Sequence, residues 1–116
     1  MICGNIGINK NGNLTFAGQD TVELAEKYST PLYLIDEKMR IYVEAINKYF
    51  PSGSMPLYAS KALCFKKIYK IASEENMGID VVSSGELYTA LKAGFPMEKG
   101  FFHGNNKTDF DINFAI

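Results

Sequence analysis

Three polar residues have the types and spacing for chemistry on a carbonyl group: Lys61, Asp80 and His103. Each stands in or at the end of a short strand-like run, and successive members stand about one strand-plus-helix unit apart. Lys61 ends the stretch Met55-Pro56-Leu57-Tyr58-Ala59-Ser60-Lys61-Ala62. Leu57, Tyr58 and Ala59 suit a strand, and Pro56 is tolerated only at a strand's start or on an edge. Cys64 to Glu75 follows with helical periodicity, with Cys64, Ile68, Ile71 and Ala72 on one face. Lys61 is therefore expected at the carboxyl end of a strand, just before a helix. That rim is where parallel α/β proteins bind ligands. An amine held there can attack an aldehyde and form a Schiff base once it sheds its proton. The plain alternative is a solvated lysine that marks the exit from the core.

The other candidates carry alternatives of the same kind. Asp80 reads either as a carboxylate beside the lysine or as a satisfied polar residue in a barrel layer. Glu86 stands three residues after Ser83, the spacing of a capping box, which accounts for it without catalysis. His103 reads as a rim imidazole that either contacts a ligand or hydrogen-bonds the Gly104-Asn105-Asn106-Lys107 turn. Cys64 lies close to the lysine strand, but nothing nearby in sequence activates it, and packing explains it.

The elements that must position these residues alternate. Residues 1–18 are rich in Gly and Asn, and Asn11-Gly12 signals a type I′ hairpin between residues 7–9 and 14–16. Asp20 caps a short helix to Ser29 that buries Leu24, Ala25 and Tyr28, and Thr30-Pro31 ends it. Leu32-Tyr33-Leu34-Ile35 is predicted as a strand, with Asp36 capping a helix to about Phe50 that carries Met39, Val43, Ile46 and Phe50 on one face. After the lysine strand and its helix come a strand over Gly78–Ser83 and a helix over Gly85–Ala93 with Leu87, Ala90 and Leu91 on its apolar face. Gly94 then ends that helix, and a strand covers Gly100–His103. Thr108 and Asp111 repeat the capping-box spacing. The β-α-β-α-β-α order implies α/β architecture with parallel strands and helical crossovers. A closed barrel of this type needs eight units and about 250 residues, and about three units are legible here, so the pattern reads as truncated. Residues 1–36 form a hairpin, short helix and strand, and residues 37–116 an incomplete barrel domain.

Composition narrows the function. The chain has 116 residues, 47% of them hydrophobic, enough for one small core. A net charge of −1 without a like-charge run argues against nucleic-acid binding. No apolar run is long enough to span a membrane, and the N-terminus lacks the basic and apolar regions of a signal peptide. Cys3 and Cys64 form no CxxC pair, and with one His the expectation is no metal site. A cytosolic protein with reduced thiols follows.

Five stretches together resemble one family. They are Thr30-Pro31-Leu32-Tyr33-Leu34-Ile35-Asp36, Tyr58-Ala59-Ser60-Lys61-Ala62, Gly78 to Ala93, Gly94-Phe95-Pro96, and His103-Gly104-Asn105-Asn106-Lys107-Thr108. In order and spacing this set is similar to the diaminopimelate decarboxylases, pyridoxal-phosphate enzymes with an alanine-racemase-like TIM barrel. The Lys61 motif alone is shared by many pyridoxal-phosphate enzymes of that fold. The Asp80-Val81-Val82-Ser83-Ser84-Gly85-Glu86-Leu87 run and the His103 turn are more specific. The resemblance implies pyridoxal 5'-phosphate bound through Lys61, with Asp80 and His103 as further cofactor-binding residues and Glu86 in support. It also implies an amino-acid substrate, meso-2,6-diaminopimelate, decarboxylated to L-lysine in lysine biosynthesis by a homodimer. The family's glycine-rich phosphate loop, the acidic residue that holds the pyridine nitrogen, the substrate-binding arginines, the partner-supplied cysteine motif and the β-domain are expected outside these 116 residues, so the chain alone is expected to be inactive. Two alternatives stand beside this. One is a related decarboxylase acting on ornithine, arginine or carboxynorspermidine. The other is a truncated non-catalytic copy serving as a binding or structural module.

Overall fold

The computed structural model describes residues 4–37, 44, 46 and 48–116. They fall in two compact units, Met1–Arg40 and Ile41–Ile116.

The first unit is an antiparallel sheet with one helix. Strands β1 (Ile6–Ile8), β2 (Leu14–Phe16) and β3 (Gln19–Asp20) pair in sequence order. The hairpin expected at Asn11-Gly12 forms, but with a different turn. Among the residues of that loop only Gly12 has positive φ, and Asn9 N–H donates to the Asn13 carbonyl at 2.9 Å. This is a longer loop closed by a left-handed glycine, as hairpins with a bulge use. The Asn9 side chain organises it by accepting from the amides of Asn11 and Asn13. Positive φ at two consecutive turn residues, the requirement of type I′, occurs instead at Ala17-Gly18 between the paired Phe16 and Gln19. Helix α1 (Thr21–Tyr28) starts where Asp20 accepts from the Val22 amide at 2.8 Å. The same carboxylate accepts from the Asn9 and Asn13 amides, which ties the cap to the hairpin loop. Hydrogen bonds from Asn13, above all, hold the Asp20 carboxyl below its ordinary value. Tyr28, expected inside, is exposed.

Leu32–Ile35 does not form the expected strand. These residues are exposed and have no ladder partner among the described residues. Strand propensity expresses itself only where a neighbouring backbone completes the hydrogen bonds. The helix expected after Asp36 falls largely outside the described residues, including Met39 and Val43. Of its other expected buried positions, Ile46 and Phe50 are exposed.

The second unit contains the parallel sheet. Strands β4 (Leu57–Ala59), β5 (Gly78–Val81) and β6 (Gly100–Phe102) run in the order β4-β5-β6, all parallel. Between and after them lie helices α2 (Lys66–Glu74), α3 (Ser84–Ala93) and α4 (Asp109–Ala115). These are the three βα units expected. The register aligns Ala59 with Asp80 and Asp80 with Phe101. Alternate residues point to opposite faces. Ile79 and Val81 are therefore fully buried against the helices, with Tyr69, Ala72, Leu87, Ala90 and Phe95. Tyr69 meets Phe95 edge to face at 6.4 Å. Leu57, Asp80 and Phe101 occupy the other face.

The helix boundaries follow local chemistry. The helix after β4 starts at Lys66, not Cys64, because a 3₁₀ turn over Ser60–Ala62 and extended residues at Leu63 and Phe65 intervene. At the end of α3, Gly94 is left-handed, and the Phe95 and Gly94 amides donate to the Ala90 and Leu91 carbonyls. That is the Schellman pattern the sequence anticipates. Asn76 ends α2 the same way, with the Met77 and Asn76 amides reaching the Ala72 and Ser73 carbonyls. Thr108 and Asp111 form a reciprocal capping box.

Gly78 pairs with Leu57 in the ladder, and a Cβ there would come within 2.8 Å of the Lys99 carbonyl and 2.5 Å of the Leu57 side chain. The backbone carbonyl cannot step aside. Gly78→Ala should cost about 1–3 kcal/mol of stability through overpacking, read as a lower denaturation midpoint. An unchanged midpoint would contradict this packing of β4 against β5.

Candidate functional site

The carboxyl ends of β4, β5 and β6 lie side by side because the ladder is parallel and in register. On the face away from the helices is an open cavity of about 430 Å³ lined by Leu57, Asp80, Phe101, Phe102 and His103. Its wall is apolar and aromatic, with one carboxylate and one imidazole. Ligand sites commonly have this composition.

Asp80 and His103 are brought together. The Asp80 Oδ2 stands 3.9 Å from the His103 Nδ1, an ion-pair distance when the imidazole is protonated. The second carboxylate oxygen, Oδ1, is buried and has no hydrogen-bond partner among the described residues. A buried acceptor left unmatched is costly, so it is a ready site for an N–H or O–H donor. The His103 side chain is 74% exposed at the cavity mouth, and its amide donates to the Val81 carbonyl at 2.9 Å.

Lys61 is exposed, in the 3₁₀ turn two residues beyond Ala59, the residue that pairs with Asp80. It is therefore on the same rim and outside the lining of the cavity. The turn that carries it is anchored from below. Ser60 is fully buried, and the Tyr58 hydroxyl donates to the Leu63 carbonyl at 2.7 Å. The hydroxyl of buried Tyr69 lies 3.4 Å from the Cys64 Sγ. Burial, aided by Cys64, pushes the Tyr69 phenol well up, and burial raises Tyr58 as well. Both hydroxyls thus stay protonated, as donors that the turn can use. Tyr69 was not legible as a core residue, because at the helical spacing Ile68 and Ile71 compete for the same face.

Glu86 acts as a cap in a modified form. Ser83 Oγ accepts from the Glu86 amide at 3.3 Å, while the Glu86 carboxylate accepts from the Val82 amide at 2.9 Å. The carboxylate so holds the peptide that leaves β5 two residues after Asp80. The residue missed in the sequence is Lys107. Its ammonium donates to the carbonyls of Val82, at 3.2 Å, and of His103, and lies 4.2 Å from the Phe102 ring centroid.

Residues 34–116 match the family model described as "Pyridoxal-dependent decarboxylase, pyridoxal binding domain". The chain is 42% identical over 118 residues to a diaminopimelate decarboxylase of Bacillus methanolicus, covering 97% of this chain and 27% of the relative. It is 43% identical over 112 residues to that of Bacillus subtilis, covering 93% and 26%. Among solved structures, diaminopimelate decarboxylase from M. jannaschii in complex with L-lysine superposes with a TM-score of 0.78 at 35% identity, covering 97% of this chain and 27% of that one. The chain thus spans about a quarter of the length of the relatives it matches.

The cavity suits a pyridoxal ring. Its lining of Leu57, Phe101, Phe102 and His103 is apolar and aromatic enough for a heterocycle, and the unmatched Asp80 Oδ1 offers an acceptor to a donor on it. Among the described residues, no lysine or arginine lines it to balance a phosphate. Removing Glu86 strands the Val82 amide. Glu86→Ala should therefore lower stability by about 1–2 kcal/mol in a thermal melt, with a smaller loss of pyridoxal phosphate affinity than Asp80→Ala. Asp80→Ala should do the reverse, weakening affinity and sparing the melt. If Glu86→Ala abolishes binding without moving the melt, the two roles are exchanged.

Proposed function

The chain belongs to the pyridoxal-dependent decarboxylases through their pyridoxal-binding domain, and from that premise we propose that it serves the decarboxylation of meso-2,6-diaminopimelate to L-lysine. The observation that carries the substrate is the 42–43% identity to diaminopimelate decarboxylases over nearly the whole chain. The lysine complex of the M. jannaschii relative agrees with a site shaped for that product.

Pyridoxal phosphate, when bound, supplies an electron sink for the pair released when the bond to CO2 breaks. The residues of this chain hold and orient. Lys61 would hold the cofactor by its amine, from an exposed turn that an incoming amino group can reach. Asp80 would offer its unmatched oxygen to a nearby N–H or O–H and its negative charge to an ammonium. His103, at the cavity mouth, would contact the ring. Glu86 supports them by fixing the peptide at Val82. Leu57, Phe101 and Phe102 would exclude water from the ring's apolar edge.

The proposal extends to a homo-oligomer acting in the cytosol. A free thiol at exposed Cys64 fits a reducing compartment, and exposed Tyr88, Phe110 and Phe114 fit association. In this reading residues 1–36 pack with a β-domain and residues 37–116 contribute to the barrel.

CO2 release by the complete protein tests the reading. Diaminopimelate should be turned over with kcat/KM at least about a hundredfold above ornithine and arginine, because in the complete protein groups that pair with the substrate's second amino-acid end would be left unpaired by those analogues. Lys61→Ala should abolish release while leaving the melt unchanged. Preference for ornithine or arginine would overturn the substrate assignment.

A further inference from the structure

The parallel ladder ends abruptly at the site. His103 N–H still donates to the Val81 carbonyl, one step past the last β6 residue. The next step would bring the amide of Ser83 to the His103 carbonyl. Ser83 instead turns away as the cap of α3. That turn leaves the His103 carbonyl without its rung, and brings the Val82 carbonyl, which a continued strand would aim away from β6, to the same donor. Both are satisfied by one group, the Lys107 ammonium. An ammonium has three donors and no acceptor. Two of them serve these carbonyls, and the charge lies over the Phe102 ring.

The turn is built to admit this ammonium. Gly104 has φ of +120°, and a Cβ there would meet the Lys107 Nζ at 2.6 Å. The peptide units around Val82 are therefore gripped from both sides. The Glu86 carboxylate takes its N–H, and the Lys107 ammonium takes its C=O. Asp80 and His103, the pair at the cavity mouth, are each close in sequence to one of the two carbonyls that the ammonium joins.

We propose that Lys107 is a positioning residue whose ammonium replaces the missing rung of the β5–β6 ladder and so sets the separation of Asp80 and His103. It touches neither a ligand nor the reacting atoms; it acts through the strand ends. The part of this that concerns cofactor binding rests on the pyridoxal phosphate reading, whereas the clamp itself does not.

Two substitutions in the complete protein remove the clamp by different routes. Lys107→Met deletes the charge and keeps the stem over Phe102. Gly104→Ala keeps the charge and takes its space. Amide hydrogen exchange should rise roughly tenfold or more at His103 in both variants, and remain unchanged at Ile79 and Val81 in the same strands. Pyridoxal phosphate, titrated by fluorescence, should bind roughly tenfold more weakly to both, the scale of one charged hydrogen bond. Lys107→Arg, which keeps donors for two carbonyls, should restore most of the affinity. Unchanged exchange at His103 would overturn the clamp. Faster exchange with unchanged cofactor affinity would overturn the positioning role and leave a structural one. Failure of the unsubstituted protein to bind pyridoxal phosphate would count against the proposed function, and the exchange measurement would still decide the clamp.

Discussion

The parallel hydrogen-bond ladder of β4, β5 and β6 is the constraint on which the rest depends. Its register, Ala59 to Asp80 to Phe101, puts three strand ends on one rim and sorts side chains between two faces. Ile79 and Val81 go to the helix side and are sealed there by Tyr69, Leu87, Ala90 and Phe95. Asp80 goes to the other side, where a one-residue slip would have put an apolar residue instead. A carboxylate with an unmatched buried oxygen is tolerated in that position because the surrounding ladder over-determines it.

The rim is organised by charged side chains acting on backbone. Glu86 holds the Val82 amide, Lys107 holds the Val82 and His103 carbonyls, and Asp111 closes the cap of α4 through Thr108. Each of these groups satisfies a peptide unit that a strand or helix end would otherwise leave unmatched. The Asp111 carboxyl is lowered chiefly by its bond to the Thr108 hydroxyl, which keeps it a charged acceptor. Such strand exits are short and held by side-chain bonds. They suit a function in which a few polar groups must keep fixed distances around a small ligand.

How much of this was legible depended on whether the deciding interaction was local. The strands over Leu57–Ala59, Gly78–Val81 and Gly100–Phe102 could be read because apolar runs and capping residues at their exits are adjacent in sequence. The caps at Asp20, Ser83 and Thr108 could be read for the same reason. Leu32–Ile35 could not, because a strand exists only with a partner, and none is present among the described residues. The 3₁₀ turn at Lys61 was hidden by an apolar periodicity through Cys64 that the structure does not use. Lys107 stands in a motif visible in the sequence, but nothing local marks it as a clamp. Its role needs the carbonyl of Val82, 25 positions earlier in the chain.

Of the candidate site, the pairing of Asp80 with His103 and the rim position of Lys61 follow from the ladder. That Lys61 is the group that holds the cofactor is the central claim of the account. Borohydride reduction of the complete protein with bound pyridoxal phosphate, followed by peptide mass mapping, tests it most directly. The account predicts a pyridoxyl group on the peptide containing Lys61, at its ε-nitrogen. A pyridoxyl group on another lysine, with Lys61 unmodified, would contradict it.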